Sequence, residues 1–247
     1  MFDKALSRIE IVSYHWGLQR GSGLGKKVFD SLAQAVSKRK VKLSIIHTTN
    51  KTEDERYDTM DLLRLAPDLV GVRSISMPNL IKGGGVLHSK LLVADRKHFY
   101  LGSANLSDRG LTKTKEMGIL VTNCPALAED AAKLFDVYWE LGGRGSIPKE
   151  WTRDFGTKIN LENPMTVRNS LDGQLLHTYF GSSPSPFCPK GRSDDLSVLI
   201  HAITEANQFI NVAVADYAPM NVFGKQRKPW PVLDDLLREG NSQICFA

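Results

Sequence analysis

The sequence is poor in cysteine and contains no long apolar run. Its three cysteines, Cys124, Cys188 and Cys245, lie far apart, so they allow at most one disulfide and match no metal-ligand spacing. No window approaches the roughly 18 uninterrupted apolar residues of a membrane-spanning helix. Charged side chains between Asp3 and Glu10 interrupt any apolar stretch that could act as a signal peptide. A disulfide-rich scaffold and a zinc module are therefore excluded, and no transmembrane segment is predicted within this chain.

The composition is that of a folded protein with a modest excess of positive charge. Hydrophobic residues make up 42% of the 247 positions, and the 20 Gly and 11 Pro follow no period, which excludes disordered and collagen-like classes. A net charge of +5 favours an anionic partner through long-range attraction. This excess does not distinguish nucleic acid from anionic lipid.

Strand and helix patterns alternate along the first part of the chain, which predicts a layered α/β fold. Short β-branched runs predict strands over 9–14, 41–47 and 86–94. Apolar residues at helical spacing predict a helix over 23–38, and Pro125 opens a longer one that is predicted to end at Gly142-Gly143.

The pattern restarts late in the chain. Residues 9–16 and 210–217 correspond at an offset of 201, and 243–246 would match the strand at 41–46. We therefore predict a complete half-domain over 1–145, a linker over 146–165, and the beginning of a second, similar half-domain over 166–247.

The stretch from Gly85 to Asn105 carries the chemistry. It contains His88-Ser-Lys90, then Asp95 after four residues, then Gly102-Ser-Ala-Asn105. On a strand, His88 and Lys90 would project from the same face, because side chains repeat every two residues. An imidazole, a fixed cation and neutral donors are the groups that attack on a phosphodiester requires.

This motif resembles the signature of the phospholipase D superfamily at every fixed position. Flanking segments, Ser13-Tyr-His-Trp16 and Phe187-Cys-Pro189 among them, resemble phospholipase D family members 3 and 4, which are lumenal 5′ exonucleases of single-stranded nucleic acid. The resemblance implies a layered α-β-α fold, nucleic acid as partner and no metal or other cofactor. It also implies a route from the endoplasmic reticulum membrane to the lysosome lumen, which this chain by itself does not indicate, and the sequon at Asn50 would be glycosylated there.

The resemblance also assigns roles to individual residues. His88 would be one of two catalytic histidines, as nucleophile or as acid, and Lys90 would bind phosphate. Glu116 would hold the imidazole in its working tautomer, and Asp95 would be a supporting carboxylate in the catalytic set. The positions that would contact phosphoryl oxygens are Ser103 and Asn105.

Two aromatic residues are further candidates for substrate binding. Tyr14 and Trp16 lie at the end of a predicted strand, where α/β proteins commonly bind ligands, so they could stack a base. The alternative is that both aromatics belong to the core.

A second His-x-Lys is missing, although the family uses two. His88 is the only one of the six histidines with Lys two residues on, and by the repeat offset a second motif would fall at about residue 289. The favoured hypothesis is a fragment of a two-motif exonuclease, inactive alone. The others are a homodimer that pairs two copies of His88, and a binder without turnover. Phospholipid is the alternative substrate.

Overall fold

The computed structural model describes residues 1–19, 21, 23–49, 53–214, 216–221, 228–239 and 243–246, with the backbone alone at 53–57 and 243–246. Two compact units make up the chain. The first comprises Met1–Lys82 and Val86–Lys149, and the second comprises Gly83–Gly85 and Glu150–Ala247.

The first unit alternates strands and helices, as its sequence pattern predicts. Its strands are β1 Arg8–Val12, β2 Trp16–Gly17, β3 Lys42–Thr48, β4 Val70–Ile75, β5 Leu91–Ala94, β6 His98–Gly102, β7 Leu106–Ser107 and β8 Gly118–Val121. Its helices are α1 Leu24–Ser37, α2 Glu53–Leu65, α3 Met77–Leu80, α4 Asp108–Thr112 and α5 Pro125–Arg144, and a 3-10 turn spans Phe2–Lys4.

A six-stranded mixed sheet is the centre of this unit. The strand order is β4-β3-β1-β5-β6-β8. Strands β1, β3 and β4 are parallel, and β5, β6 and β8 continue the sheet with antiparallel pairing. The remaining two strands, β2 and β7, pair with each other beside it.

Alternation along the strands sends side chains to two helical layers. Ile9 and Ile11 of β1 are fully buried in a cluster with Leu32 of α1. Glu10, which lies between them, projects from the other face and is joined through Arg96 to α5. The sheet is therefore covered by α1 and α2 on one face and by α5 on the other, which confirms the predicted α-β-α layering.

Two boundaries predicted from the sequence were wrong: the end of α5 and the start of β5. Helix α5 continues through Gly142 and Gly143 and ends at Gly145, whose φ of 70° is the left-handed cap that favours glycine. Glycine suits position 143, because a Cβ there would overlap the Arg73 guanidinium, which packs against the helix. Strand β5 begins at Leu91, so the His-x-Lys segment precedes the strand.

The second unit contains short strands and two helices. Its elements are β9 Met165–Arg168, β10 Leu175–Thr178, β11 Gly181–Ser182, β12 Ser193–Asp194, α6 Asp195–Thr204, β13 Phe209–Val212, β14 Met220–Asn221, β15 Lys228–Pro229, α7 Val232–Glu239 and β16 Gln243–Phe246, with 3-10 turns at Arg153–Phe155 and Ser185–Phe187.

One strand pair in the second unit matches a pair in the first. Arg8 of β1 pairs with Lys42 of β3, and Phe209 of β13 pairs with Gln243 of β16, both in parallel. Each residue of the second pair lies 201 positions after its counterpart, and α7 precedes β16 as α1 precedes β3. This agreement is what a second half-domain would produce. That domain division stays a prediction.

Three further expectations concern a membrane span, the cysteines and the sequon. Among the residues that the structure describes, no helix is long and apolar enough to cross a membrane. Cys124 and Cys188 are free thiols. The sequon at Asn50 lies outside the described residues.

Candidate active site

The sheet brings the His-x-Lys segment to the carboxyl end of its central parallel strand. Val12, the last residue of β1, pairs with Leu91, the first residue of β5. His88 and Lys90 directly precede β5, so they lie where β1 ends and the chain turns towards Tyr14. The backbone is held from the other side as well, because the Lys90 carbonyl accepts a hydrogen bond from the Gly102 N–H at 3.2 Å.

His88 and Lys90 are in direct contact. Lys90 Nζ lies 3.0 Å from Nδ1 and 3.2 Å from Nε2 of His88, and it donates to the His88 carbonyl at 2.8 Å. The Tyr14 ring packs against both residues, 4.6 Å from the imidazole centroid and 5.6 Å from Nζ. Lys90 is only 6% exposed, whereas the His88 ring faces solvent. The pair therefore presents an accessible imidazole over a buried ammonium group.

Burial lowers the pKa of both groups. Burial is the main cause for His88, and the neighbouring Lys90 charge adds to it. Burial lowers the pKa of Lys90 to about 8, against the opposing effect of the Glu116 carboxylate. At neutral pH the imidazole is therefore unprotonated while the ammonium group keeps its charge.

The loop from 103 to 117 returns to this pair. Ser103 and Met117 exchange two hydrogen bonds of 2.9 Å, from the Met117 N–H to Ser103 Oγ and from the Ser103 N–H to the Met117 carbonyl. This connection holds Glu116 close enough to act electrostatically on His88 and Lys90. Hydrogen bonds from Ser103 and from Thr114 lower the pKa of Glu116, the latter at 2.8 Å.

A cleft of about 620 Å³ lies next to the pair. Its lining includes Tyr14, which packs against His88, and Glu116, which acts on His88 electrostatically, together with Asn105. Asn105 Oδ1 is buried and, within the described part of the chain, has no hydrogen-bond partner. Its side-chain amide therefore has unused hydrogen-bonding capacity at the cleft.

Asp95 lies away from the other predicted catalytic residues. It follows β5 at the end opposite Lys90, about 16 Å away at the rise of a strand. Its carboxylate accepts hydrogen bonds from the backbone N–H groups of Leu6, Ser7 and Arg8 at 2.8–3.0 Å. Burial raises its pKa, but these bonds lower it more. The carboxylate anchors the start of β1, away from the His88–Lys90 pair, and its membership of the catalytic set stays a prediction.

Trp16 is also placed differently from the expectation. Its side chain is 0% exposed and lies in the hydrophobic cluster beneath α1, so it has no free face on which a base could stack. The parallel pairing of β2 with β7 holds it there. Both aromatic residues border the cleft, but only Tyr14 is partly exposed there.

The motif did not predict the two cations in the same cleft. Arg109 and Lys113 line its wall, four residues apart on and just after α4. The available signal was their spacing directly after Asn105. In the described part of the chain, no group of three or more His, Cys, Asp or Glu side chains is arranged to hold a metal.

A mixed α/β sheet with a His-x-Lys pair at the end of its central parallel strand defines a phospholipase D-like protein. Comparison with known families agrees. The chain belongs to the family described as PLD3/4, PLD-like domain, whose model matches residues 1–243.

Relatives show the same affiliation. The chain is 39% identical to the "5′-3′ exonuclease PLD3" of Rattus norvegicus over 243 residues, which cover 95% of this chain and 48% of the relative. It is 38% identical to the "5′-3′ exonuclease PLD4" of Mus musculus over 247 residues, 96% of this chain and 48% of the relative. The chain thus spans about half the length of these relatives. Among solved structures, the phospholipase D family member Nuc from Salmonella typhimurium aligns over 57% of this chain and 83% of its own, at 19% identity and a TM-score of 0.46.

Proposed function

We propose that this chain supplies one half of the active site of a phosphodiesterase that removes nucleotides from the 5′ end of single-stranded DNA or RNA. The observation that supports this function is the contact between His88 and Lys90 beside a cleft of about 620 Å³. A nucleophilic nitrogen, a fixed cation and neutral donors are what phosphodiester displacement requires. The names of the two relatives support nucleic acid as substrate and the 5′ end as the point of attack.

In this mechanism the neutral imidazole of His88 attacks phosphorus. A P–N bond forms while the P–O bond to the leaving nucleotide breaks, and the leaving oxygen takes a proton from an acid outside the pair. The ammonium group of Lys90 and the side-chain N–H groups of Asn105 stabilise the negative charge on the non-bridging oxygens. Water then attacks the phosphohistidine, gives its proton to the same outside group, and regenerates His88.

The lowered pKa values support these roles. A neutral His88 keeps its lone pair at a pH where an ordinary histidine begins to take up a proton. Lys90 carries the charge that attracts phosphate at any pH below about 8. Both conditions hold together in neutral and mildly acidic solution.

The outside acid is a second His-x-Lys in this proposal. A second copy of this chain would contribute it in a homodimer, and a longer protein would contribute it from its own later residues. Mixing wild-type chain with the His88→Asn variant distinguishes these sources. In a homodimer the His88→Asn copy cannot supply that acid, so mixed dimers, sized by sedimentation, are expected to be inactive and to lower the activity of wild-type chain as the variant is added. An active monomer contradicts the homodimer.

The test of the proposed function uses a single-stranded oligonucleotide with radioactive phosphate at its scissile position. In the form that contains the second His-x-Lys, either a homodimer or the longer protein, wild type is expected to retain covalent radiolabel after acid-free denaturation, and His88→Asn to retain none. Lys90→Ala is expected to weaken binding of the oligonucleotide. His177→Asn, an exposed histidine of the second unit, is the matched control. Equal labelling of wild type and His88→Asn would contradict the assignment.

A second candidate substrate is phospholipid. One observation favours it: an apolar cavity of about 270 Å³ adjoins Lys90, with Leu92, Tyr100 and Leu106 in its wall. Such a cavity could accept part of an acyl chain while the ammonium group holds the phosphate. Release of choline from phosphatidylcholine vesicles, abolished in His88→Asn, would support lipid over nucleic acid.

The third hypothesis, a protein that binds oligonucleotide without cleaving it, predicts a different experimental result. Measurable affinity for oligonucleotide with no cleavage between pH 4 and 8, and with no labelled His88, would support it.

The route to the lysosome lumen stays a prediction, which an activity optimum in mildly acidic solution would support.

A further inference from the structure

The segment between Asn105 and Glu116 leaves the reaction site and returns to it. Asn105 borders the cleft at the start of the segment, and Ser103 and Met117 are joined by two hydrogen bonds at its base. Between these points the chain forms β7 and α4. The hydrogen bonds at its base therefore fix where the middle of this segment lies relative to the His88–Lys90 pair.

Two cations from this segment line the cleft. Arg109 on α4 and Lys113 directly after it are both exposed, and their four-residue spacing puts them on one side of the helix. In the described part of the chain, neither side chain takes part in an ion pair. A third cation, Lys115, follows two residues later and is exposed as well.

Three carboxylates line the same cleft, and two of them, Asp58 and Asp108, are directed elsewhere. Asp58 is 3% exposed and accepts a hydrogen bond from the Leu18 N–H at 2.5 Å. Asp108 is 6% exposed and accepts one from the Gly25 N–H at 3.3 Å. Because Asp58 and Asp108 are buried against backbone, Glu116 is the one lining carboxylate left to oppose Arg109 and Lys113, and the net charge of these three accessible groups is positive.

We propose that Arg109 and Lys113 form a second phosphate subsite, which binds the phosphate adjacent to the scissile one in a single strand. This inference rests on the proposed function and adds to it the path of the substrate, from Lys90 past Asn105 towards α4. With this subsite, a substrate that has two successive phosphates binds more tightly than a mononucleotide. Guanidinium and ammonium groups suit this role because phosphate recognition is dominated by charge.

The test measures how salt weakens the binding of a thymidine decamer with fluorescein at its 3′ end. The variant is Arg109→Gln/Lys113→Gln. The matched control, Lys38→Gln/Lys42→Gln, makes the same change in net charge, and Lys42 lies at the amino end of β3, opposite the site. Anisotropy between 50 and 300 mM KCl gives the slope of log Kd against log salt. Losing the contact with this one phosphate is expected to reduce the slope by about 0.7, the value for one neutralised phosphate on a single strand.

A second measurement separates the inference from the proposed function. Thymidine 5′-monophosphate, which has one phosphate, is expected to bind wild type and Arg109→Gln/Lys113→Gln equally and to bind Lys90→Ala more weakly. Equal slopes for the two double variants would overturn the second subsite while leaving the proposed function intact. Unchanged binding of the mononucleotide and of the decamer to Lys90→Ala would overturn the proposed function itself.

Discussion

Replacing Arg96 by methionine tests how an ionic cluster beneath the sheet holds the first unit together. Arg96 lies in the turn between β5 and β6, and its Nη2 is 2.9 Å from Glu10 Oε1 and 2.7 Å from Asp136 Oδ1. A third carboxylate, Glu129, is 2.9 Å from Nη1. The Glu10 side chain is only 7% exposed, and its Oε2 has no hydrogen-bond partner among the described residues.

Removing Arg96 would leave the Glu10 carboxylate buried without its main counter-charge. Loss of one partner of a buried pair costs about 3–5 kcal/mol in the free energy of unfolding, and we expect this range at pH 7.5. Burial already raises the pKa of Glu10 and of Asp136, and Arg96 opposes that rise. Without Arg96 both pKa values rise further, so the carboxyl groups take up protons on acidification. The deficit, which is the loss in free energy of unfolding caused by replacing Arg96, is therefore expected to be smaller at pH 5 than at pH 7.5.

Urea unfolding followed by tryptophan fluorescence at both pH values measures this deficit. The matched control is Arg144→Met, which breaks an exposed pair with Glu140 and should cost about 0–1 kcal/mol at either pH. Adding Glu10→Gln to the Arg96 variant should recover part of the loss, because the buried charge is then absent. A deficit within the range of the control, or one that is equal at both pH values, would refute the reasoning.

Three further predictions follow from the site and the core. Binding of thymidine 5′-monophosphate, followed by calorimetry, is expected to weaken as pH rises above about 8, where Lys90 loses its charge; constant affinity up to pH 10 would contradict this. Gly118→Ala is expected to lower stability by about 1–3 kcal/mol, because the added Cβ would overlap the Tyr100 ring, and a Tyr100→Ala background should remove the effect in urea unfolding. Leu32→Ala should cost about 2–5 kcal/mol through the cavity it leaves in the fully buried cluster, and a loss below 1 kcal/mol in the same assay would be inconsistent with that packing.

Local patterns predicted the parts of this protein that depend on short-range periodicity. Helix α1 and the existence of α5 follow from apolar spacing and from Pro125 at the first turn. The contact of His88 with Lys90 follows from two-residue alternation, even though the extended segment that holds them precedes the strand. The end of α5 was missed, because Gly142 and Gly143 are helical and the left-handed cap falls at Gly145.

Long-range packing decided the remainder of the candidate site. Asp95 is in the motif, yet its direction depends on backbone N–H groups that the start of β1 brings to it. Trp16 enters the core because β2 pairs with β7, some 90 residues later in sequence. The position of Glu116 beside the pair depends on the hydrogen bonds between Ser103 and Met117.

The sequence alone therefore determined the candidate pair His88–Lys90, its motif and the layered fold, since each is read from patterns of residues close together in the chain. Only the tertiary structure decided which other residues join that pair. It placed Glu116 beside the pair and Asp95 at the far end of β5, and it lined the cleft with Arg109 and Lys113. The physical reason is that strand pairing and loop closure bring together groups whose separation in sequence carries no periodic signal.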